Sequence, residues 1–522
     1  MARLTLPDPK AKASTTLRDA AEAQAWVAAQ QQAQPMRLLR AVLAEIEGID
    51  ASAITPGVRV DMLDALRPAI VLTEASIELR YANKPLPLVD DENAAFEAAW
   101  QVWHALAIAY LRASSFLPPA EALRPLHRAA IALRESLHCH YIAGQEAPQS
   151  ILQLLYELLL TAESRDLGRT PLIDPDYKHL GDSSIAADIA WSFLLHFCDP
   201  YRFSAAQFAV ANRALSRWRE LAGFQSHPDD SPKARVITLA PWLGEEIITE
   251  DGPRYIDVRP VVRKIRRRIE SLEAGETPDQ LRLGRELSGP ACIVLLRMLS
   301  DALRPNASFA GDAVSPKTTS VELIFGHEHM FAAITGEPLE GLQQVSAKSD
   351  RISHERIALF GFDNMANRVD NAAETLKIPS ETWGAEDGWV LRAANAGAQV
   401  LGPALVAMRD PESGNAQLAV LFSVRQSIEG WLMATLRRLP GPASVGVQRI
   451  ANAPVKNAPQ TPAFLLPEDA DAGIPASICL PTGSGARTGA LMALDRCNVP
   501  HLRLTDVIER GTNFVRFGYA RT

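Results

Sequence analysis

The sequence is poor in cysteine: it has five in 522 residues, and no two of them form a Cys-x-x-Cys pair. A scattered, odd-numbered set is typical of a reducing compartment and provides neither a disulfide framework nor a thiolate zinc site. No uninterrupted apolar run reaches about 18 residues, so no membrane insertion is predicted. The first residues, MARLTLPDPKAKAS, lack the apolar stretch of a signal peptide. Together these absences predict a cytoplasmic protein.

An excess of basic residues is also missing. The chain has 53 Lys and Arg against 61 Asp and Glu, which gives a formal net charge of -8. Binding to a nucleic acid polymer needs a broad basic surface, so we do not expect nucleic acid as a partner. A local basic pocket for one small anion is still compatible with this balance. The apolar content of 47% is ordinary for globular proteins and is enough for large cores.

The glycine-rich stretch LPTGSGARTGALM (480–492) lacks the lysine that a nucleotide triphosphate loop requires. The glycine spacing differs as well, and Arg487 cannot replace the compact ammonium group of lysine. We therefore interpret ASICLP and TGALMAL as strands, with TGSGAR as the glycine turn between them.

Hydrophobic periodicity divides the chain into regions. Segments such as ENAAFEAAWQVWHALAIAYLRAS place apolar residues three and four positions apart, which predicts helices. After 385, apolar runs of 5–8 residues alternate with turn signals, which is typical of a small antiparallel barrel. The predicted fold is α+β and multidomain. Its parts are a helical array (1–225), a mixed α/β region (235–345), a β-barrel (346–460) and a C-terminal β extension (461–522).

The usual catalytic and metal-binding patterns are not found. His138 and His140 are two positions apart, whereas a helical zinc pair needs three or four. His327 and His329 would share a face only on a strand, yet they follow Gly326 and begin a helix-like run. Neither a Gly-x-Ser-x-Gly elbow nor a His-Glu-x-x-His helix occurs. We predict no catalytic residues, no metal and no enzyme activity, and an enzyme that depends on His327 or His329 is the weakest alternative.

A concentration of positive charge stands out in RPVVRKIRRRIE (259–270), with six cations in twelve residues. Arg263 and Arg267 are four apart, as are Lys264 and Arg268, so each pair shares a helix face. A phosphate-bearing ligand or an acidic partner would fit such a face. The alternative is a solvated helix whose apolar stripe packs inward.

The segments RPVVRKIRRRIESLEAG, ELIFGHEHMFAAITGEP, RIALFGFDNMANRV, RRLPGPASVGVQRIA and LRLTDVIERGTNFVRFGY resemble a known bacterial family. This is the atypical PilZ-domain cyclic di-GMP receptor family of proteobacteria, large cytosolic proteins with a helical N-terminal region and a degenerate PilZ-type barrel. The resemblance covers 235–522 well and the helical part only by type. It implies that the predicted barrel is PilZ-like.

The resemblance also implies a ligand site. PilZ domains hold cyclic di-GMP with an Arg-x-x-x-Arg segment and an Asp/Asn-x-Ser-x-x-Gly turn. If Trp389 starts the equivalent strand, the three positions of the turn fall on Ala393, Asn395 and Ala398, with Gly397 adjacent. Both motifs are incomplete, because two turn positions are alanine and the candidate arginines at 351 and 356 are five apart. The implied ligand-binding residues are Arg351, Arg356, Arg368, Asn395 and Gly397.

The predicted function is that of a non-catalytic regulator that binds cyclic di-GMP, or a relative of that ligand, and signals through its helical region. A protein partner is expected on that region, and no cofactor is expected. The alternative is a ligand-free PilZ-like scaffold or adaptor that binds a protein partner. The loss of motif residues favours this alternative, and the family resemblance favours the receptor.

Overall fold

A computed structural model describes most of the chain in two compact units. One unit comprises Met1–Phe309 with Arg425–Gly430, and the other comprises Ala310–Val424 with Trp431–Thr522. The described residues are 4–30, 33–229, 231, 235–243, 253–305, 307, 311, 313–314, 318–339, 378–409, 414–449, 460–468 and 475–522.

The first unit, here called the helical unit, consists mainly of α-helices. Its helices are α1 (Ala20–Ala29), α2 (Pro35–Ala51), α3 (Pro56–Tyr81), α4 (Asp90–Ser114), α5 (Pro119–Ala143), α6 (Gln149–Ser164), α7 (Ile185–Phe197), α8 (Ala205–Trp218), α9 (Ala240–Leu243), α10 (Arg259–Glu273) and α11 (Gly289–Ala302). Its short strands are β1 (Leu172–Ile173), β2 (Asp182–Ser183), β3 (Gly223–Gln225), β4 (Val236–Thr238) and β5 (Tyr255–Asp257). Strands β1 and β2 pair with each other, and β5 lies between β3 and β4.

Local sequence explains where these helices begin and end. Proline occupies the first position of α2, α3 and α5, where its missing N–H costs no hydrogen bond. Helix α8 starts with a capping box in which Ser204 and Gln207 satisfy each other's backbone N–H groups. Helix α5 ends at Gly144, whose φ of 66° is a conformation that glycine adopts without strain. Apolar residues from α1 to α11 form one continuous core.

The second unit, here called the barrel unit, contains one helix among antiparallel strands in its described part. Its elements are β6 (Ser320–Ile324), α12 (His327–Thr335), β7 (Glu381–Glu386), β8 (Trp389–Ala393), β9 (Ala404–Arg409), β10 (Ala416–Gln426), β11 (Trp431–Arg438), β12 (Ser444–Arg449), β13 (Gln460–Leu466), β14 (Ser477–Pro481), β15 (Leu491–Asp495), β16 (His501–Arg510) and β17 (Phe514–Arg521). The last two residues of β10 are grouped with the helical unit.

Two closed six-stranded barrels form in the barrel unit. The first has the strand order β10-β11-β8-β7-β6-β9 and the second has the order β12-β13-β14-β17-β16-β15. Leu405 of the first barrel, Phe464 of the second and Phe331 of α12 belong to one buried cluster. The two barrels and the helix therefore share a core.

The predicted fold class is confirmed: a helical array comes first and closed antiparallel β-structure follows. The strands expected beyond 460 form a second closed barrel together with β12, which lies in the range predicted for the first barrel, rather than a simple extension. Strand β6, which lies before the range predicted for the barrel, pairs with β7 and β9. The predicted four-part division of the chain stays a prediction.

The glycine-rich stretch connects strands, as expected, but it is not a hairpin turn. Strand β14 pairs with β13 and β17, whereas β15 pairs with β12 and β16. Residues 482–490 therefore join two strands that are not neighbours in the second barrel. Short-range sequence signals locate such a loop, but they do not show which strands it joins.

Candidate functional site

A large cleft with an excess of positive charge lies within the helical unit. Its volume is about 1090 Å³. Its walls come from α8, α10, the segment around β2 and the turn at 281–283. The charged side chains that line it are Lys178, Arg213, Arg217, Arg219, Lys264, Arg268 and Arg282, together with Glu78, Asp182 and Glu220. Cations thus outnumber carboxylates by more than two to one among the described residues of the cleft wall.

Several of these cations are accessible to a ligand. Lys178, Arg217 and Arg282 are exposed, and Lys264 and Arg268 are half-buried. Helix α10 presents Lys264 and Arg268 to the cleft because they lie four positions apart, while its apolar stripe packs inward. A concave surface of this kind attracts anions, since positive charges from several elements act on the same volume.

The turn that carries Arg282 is tightly built. Arg282 has a φ of 60°, and its two neighbours, Leu281 and Leu283, are buried. The backbone N–H of Arg282 donates to the carbonyl of Asp279, and that of Leu283 donates to the carbonyl of Pro278. Left-handed backbone is costly for a residue with a side chain, and such conformations concentrate at functional sites. Here the turn buries both leucines and leaves the guanidinium exposed at the cleft.

Arg213 connects α8 to the same turn. Its guanidinium donates to the carbonyl of Leu283 over 2.7 Å and forms a two-pronged ion pair with Glu286. Hydrogen bonding to Arg213 lowers the pKa of Glu286 to about 2. Gly284 permits this approach, because a Cβ at that position would lie 1.8 Å from the Arg213 Nη1 atom. The ion pair with Glu286 therefore fixes the wall of the cleft that Arg213 and the turn at 281–283 form.

Buried ion pairs support the segment that carries Lys178. Arg67 of α3, only 1% exposed, bonds both carboxylate oxygens of Asp174 over 2.6 and 2.9 Å, and Arg128 of α5 pairs with the same carboxylate. Arg219 donates to the Ser183 hydroxyl over 2.9 Å and to the carbonyls of Leu180 and Asp182. These contacts link the rim at 178–183 to α3, α5 and the end of α8.

The turn that follows β8 contains the predicted site residues Asn395 and Gly397. Strand alternation buries Arg392, and its guanidinium donates to the carbonyls of Ala393, Ala394 and Ala398. The carboxylate of Glu381 on β7 lies 3.1 Å from the Arg392 Nε atom and accepts the N–H of Ala398 over 3.0 Å. The charged side chains of Arg392 and Glu381 therefore hold the turn together.

The other contacts of this turn are equally close. The Arg392 guanidinium lies 4.9 Å from the ring centroid of Trp383, whose indole N–H donates to Glu381 over 3.2 Å. A Cβ on Gly397 would lie 2.8 Å from the carboxylate atoms of Glu381. Asn395 is exposed. Glycine at 397 therefore allows the Glu381 carboxylate to approach the backbone of the turn closely.

The arginines predicted for the ligand site lie outside the described residues. Arg351, Arg356 and Arg368 all fall in the undescribed range 340–377. The predicted grouping of these arginines with Asn395 and Gly397 stays a prediction.

Of the histidines singled out in the sequence, His140 and His327 are largely buried, whereas His138 lines the cleft. His140 is buried on α5 edge-to-face against Phe96, and burial lowers its pKa to about 4. His327 begins α12, as the sequence predicted, and burial lowers its pKa to about 4 as well. In the part of the chain that the structure describes, no group of three or more His, Cys, Asp or Glu is arranged to hold a metal ion. None of the described helices is long and apolar enough to cross a bilayer.

Sequence reasoning found only one wall of the cleft. The charge run at 259–270 indicated a face for a phosphate-bearing ligand, and Lys264 and Arg268 of that run line the cleft. Arg217 and Arg282 lie outside this run, on either side of it, and no concentration of charge marks them in the sequence. The spacing of four between Arg213 and Arg217 on one helix was the remaining signal.

Comparison with known proteins supports the family suggested by the sequence. No curated protein and no solved structure matches the chain significantly. Residues 21–229 match the family model described as the N-terminal domain of the cyclic-di-GMP receptor FimW. The match covers α1 to α8 and most of the cleft lining. The match agrees with the suspected cyclic di-GMP receptor family: over residues 21–229, the chain is similar to the N-terminal domain of the cyclic-di-GMP receptor FimW, and the PilZ-like character of the barrel stays a prediction.

Proposed function

We propose that the chain is a non-catalytic, cytoplasmic receptor that binds cyclic di-GMP in the basic cleft of its helical unit. The observation that carries this proposal is the excess of cations in a cleft that lies largely within the domain similar to FimW. Cyclic di-GMP carries two phosphate charges and two guanine rings. Arginine suits both, because its planar group pairs with phosphate oxygens and stacks on aromatic rings.

The size and composition of the cleft fit such a ligand. A volume of about 1090 Å³ is at the upper end of the usual range for small-molecule sites. Trp191, Phe208 and Trp218 contribute to the lining, so apolar surface accompanies the charges. A dinucleotide can therefore place phosphates on the arginines and bases against the aromatic wall.

Signalling through the helical unit is expected because the walls of the cleft belong to different elements of that unit. Lys178 precedes β2, Arg217 lies on α8, and Lys264 lies on α10. A dianion that contacts all three favours the arrangement in which these elements are close together. It shifts the population only by the difference in its affinity for the two arrangements. A protein partner that recognises one arrangement would read out the bound state.

Calorimetric titration of the full chain with cyclic di-GMP tests the proposal. We expect saturable binding that weakens at least about tenfold in the double variant Arg217→Ala/Arg282→Ala, because two charge-assisted hydrogen bonds are lost. The matched control is Arg263→Ala/Arg267→Ala, which removes the same charge from exposed positions of α10 that do not line the cleft. The control should change the affinity less than about threefold, through long-range attraction alone.

The barrel turn provides the competing location. If Asn395→Ala abolishes binding while the cleft variant binds normally, the nucleotide site is at the turn and the cleft assignment is wrong. If the unaltered chain gives no binding signal, the ligand-free scaffold becomes the better description. That alternative is favoured by the internal pairing of Arg392, which fills the turn without a ligand.

A further inference from the structure

One pair of side chains in the cleft has a fixed hydrogen-bonding direction. The indole N–H of Trp191 on α7 donates to the Oδ1 atom of Asn212 on α8 over 2.9 Å. An indole N–H can only donate, so the amide oxygen must face it and the amide NH₂ must point elsewhere. Asn212 is half-buried and lines the cleft. The amide therefore offers its two N–H donors to a ligand, while its oxygen points toward the indole of Trp191.

The structure holds Trp191 in place. The Arg134 guanidinium lies 4.0 Å from the centroid of the Trp191 ring, within the range of a cation–π contact. Arg134 is itself buried and pairs with Glu135 and, at 3.7 Å, with Asp188. Trp191 is 6% exposed. The indole thus has little freedom to turn away from Asn212.

This arrangement discriminates between purines. The Hoogsteen edge of guanine presents two acceptors, O6 and N7, whereas adenine presents the N7 acceptor beside the N6 amino donor. An asparagine normally reads adenine with both its oxygen and its nitrogen. With its oxygen turned toward the buried indole of Trp191, Asn212 meets a base with its NH₂ group, which can donate to the acceptors of guanine but faces a second donor at the N6 amino group of adenine.

We infer that Asn212, oriented by Trp191, is the residue that selects guanine over adenine in the cleft. This inference rests on the proposed function, since it assumes that a purine dinucleotide binds there. Asn212 is a specificity-determining residue, and Trp191 is a positioning residue that acts through it. The cations hold phosphates of either dinucleotide, so the choice of base falls to the neutral amide.

The test compares cyclic di-GMP with cyclic di-AMP, two ligands of equal charge, by calorimetry on the full chain. The unaltered protein should prefer cyclic di-GMP by about 5- to 100-fold, the range for one well-placed pair of hydrogen bonds to a base. Asn212→Ala should remove most of this preference by weakening cyclic di-GMP alone. A loss of affinity that is equal for both ligands would show that Asn212 contacts phosphate, and it would overturn the inference.

A second variant tests whether the indole N–H of Trp191 orients the Asn212 amide. Trp191→Phe keeps an aromatic ring over Arg134 but removes the indole N–H, so the Asn212 amide is free to turn. The preference for cyclic di-GMP over cyclic di-AMP should then fall about 3- to 10-fold, whatever the change in the overall affinity. A purely structural role would weaken both ligands together, and circular dichroism verifies that the variant is folded.

The outcomes separate this inference from the proposed function. If the unaltered chain binds cyclic di-GMP and both variants keep its preference, the inference is wrong and the receptor function stands. If the unaltered chain binds neither dinucleotide, the first titration rejects the proposed function, and the inference falls with it.

Discussion

Arginine is used in opposite ways at the helical cleft and at the turn of the first barrel. In the cleft, Arg217 and Arg282 are exposed and face a volume of about 1090 Å³. At the turn, the Arg392 side chain is only 4% exposed, donates to three carbonyls and forms an ion pair with Glu381. A cation binds a ligand only if its donors are available, so the contrast separates a candidate receptor site from a self-contained structural cluster.

Secondary structure produces this difference. On α8, residues four apart share one face, so Arg213 and Arg217 both line the cleft. On β8, alternate residues face the barrel interior, and Arg392 follows Val390 into it. A guanidinium inside a barrel must find internal acceptors, because an unpaired buried charge is strongly unfavourable.

Among the changes that test this contrast between cleft and turn, Glu381→Ala should have the largest effect on stability. This change leaves the Arg392 guanidinium buried without its counter-ion, and it also removes an acceptor from Ala398 and Trp383. We expect the free energy of unfolding to fall by about 3 kcal/mol. Urea denaturation measures it, with Glu386→Ala as an exposed control on the same strand. Equal effects of the two variants would show that the turn does not depend on the ion pair.

A smaller loss is expected from Gly397→Ala. The added methyl group would lie 2.8 Å from the Glu381 carboxylate, which Arg392, Trp383 and Ala398 hold in place. Overpacking of this kind should lower the free energy of unfolding by about 1 kcal/mol. Gly483→Ala is the control, because nothing lies within 4 Å of its added Cβ. If Gly397→Ala were neutral, the carboxylate would be free to move aside, and Arg392 and Glu381 would not hold the turn rigidly.

The smallest change in stability is expected in the cleft. Arg217 is exposed, so Arg217→Ala should change the free energy of unfolding by less than about 0.5 kcal/mol. The same denaturation experiment, made without ligand, measures this quantity. A loss comparable to that of Glu381→Ala would place Arg217 in a structural role, and the contrast between the two regions would disappear.

Much of the architecture was predictable because its signals are local. The apolar spacing of α4, the charge run of α10 and the order of strand, glycine and helix at 320–335 all depend on neighbours a few residues apart. The predicted strand at Trp389 is β8, so Asn395 and Gly397 do lie in the turn that follows it. The pairing of β14 and β15 with other strands depended on contacts tens of residues away, and local patterns carry no information about it.

The sequence by itself determined the helices, the strands, the negative net charge and the basic stretch at 259–270. The tertiary structure alone decided which cations share a cleft and which are consumed by internal partners. It placed Arg282 opposite α8, and it turned the oxygen of Asn212 toward Trp191. The physical reason is that availability of a charge or an amide depends on the atoms around it in space, and those atoms come from distant parts of the chain.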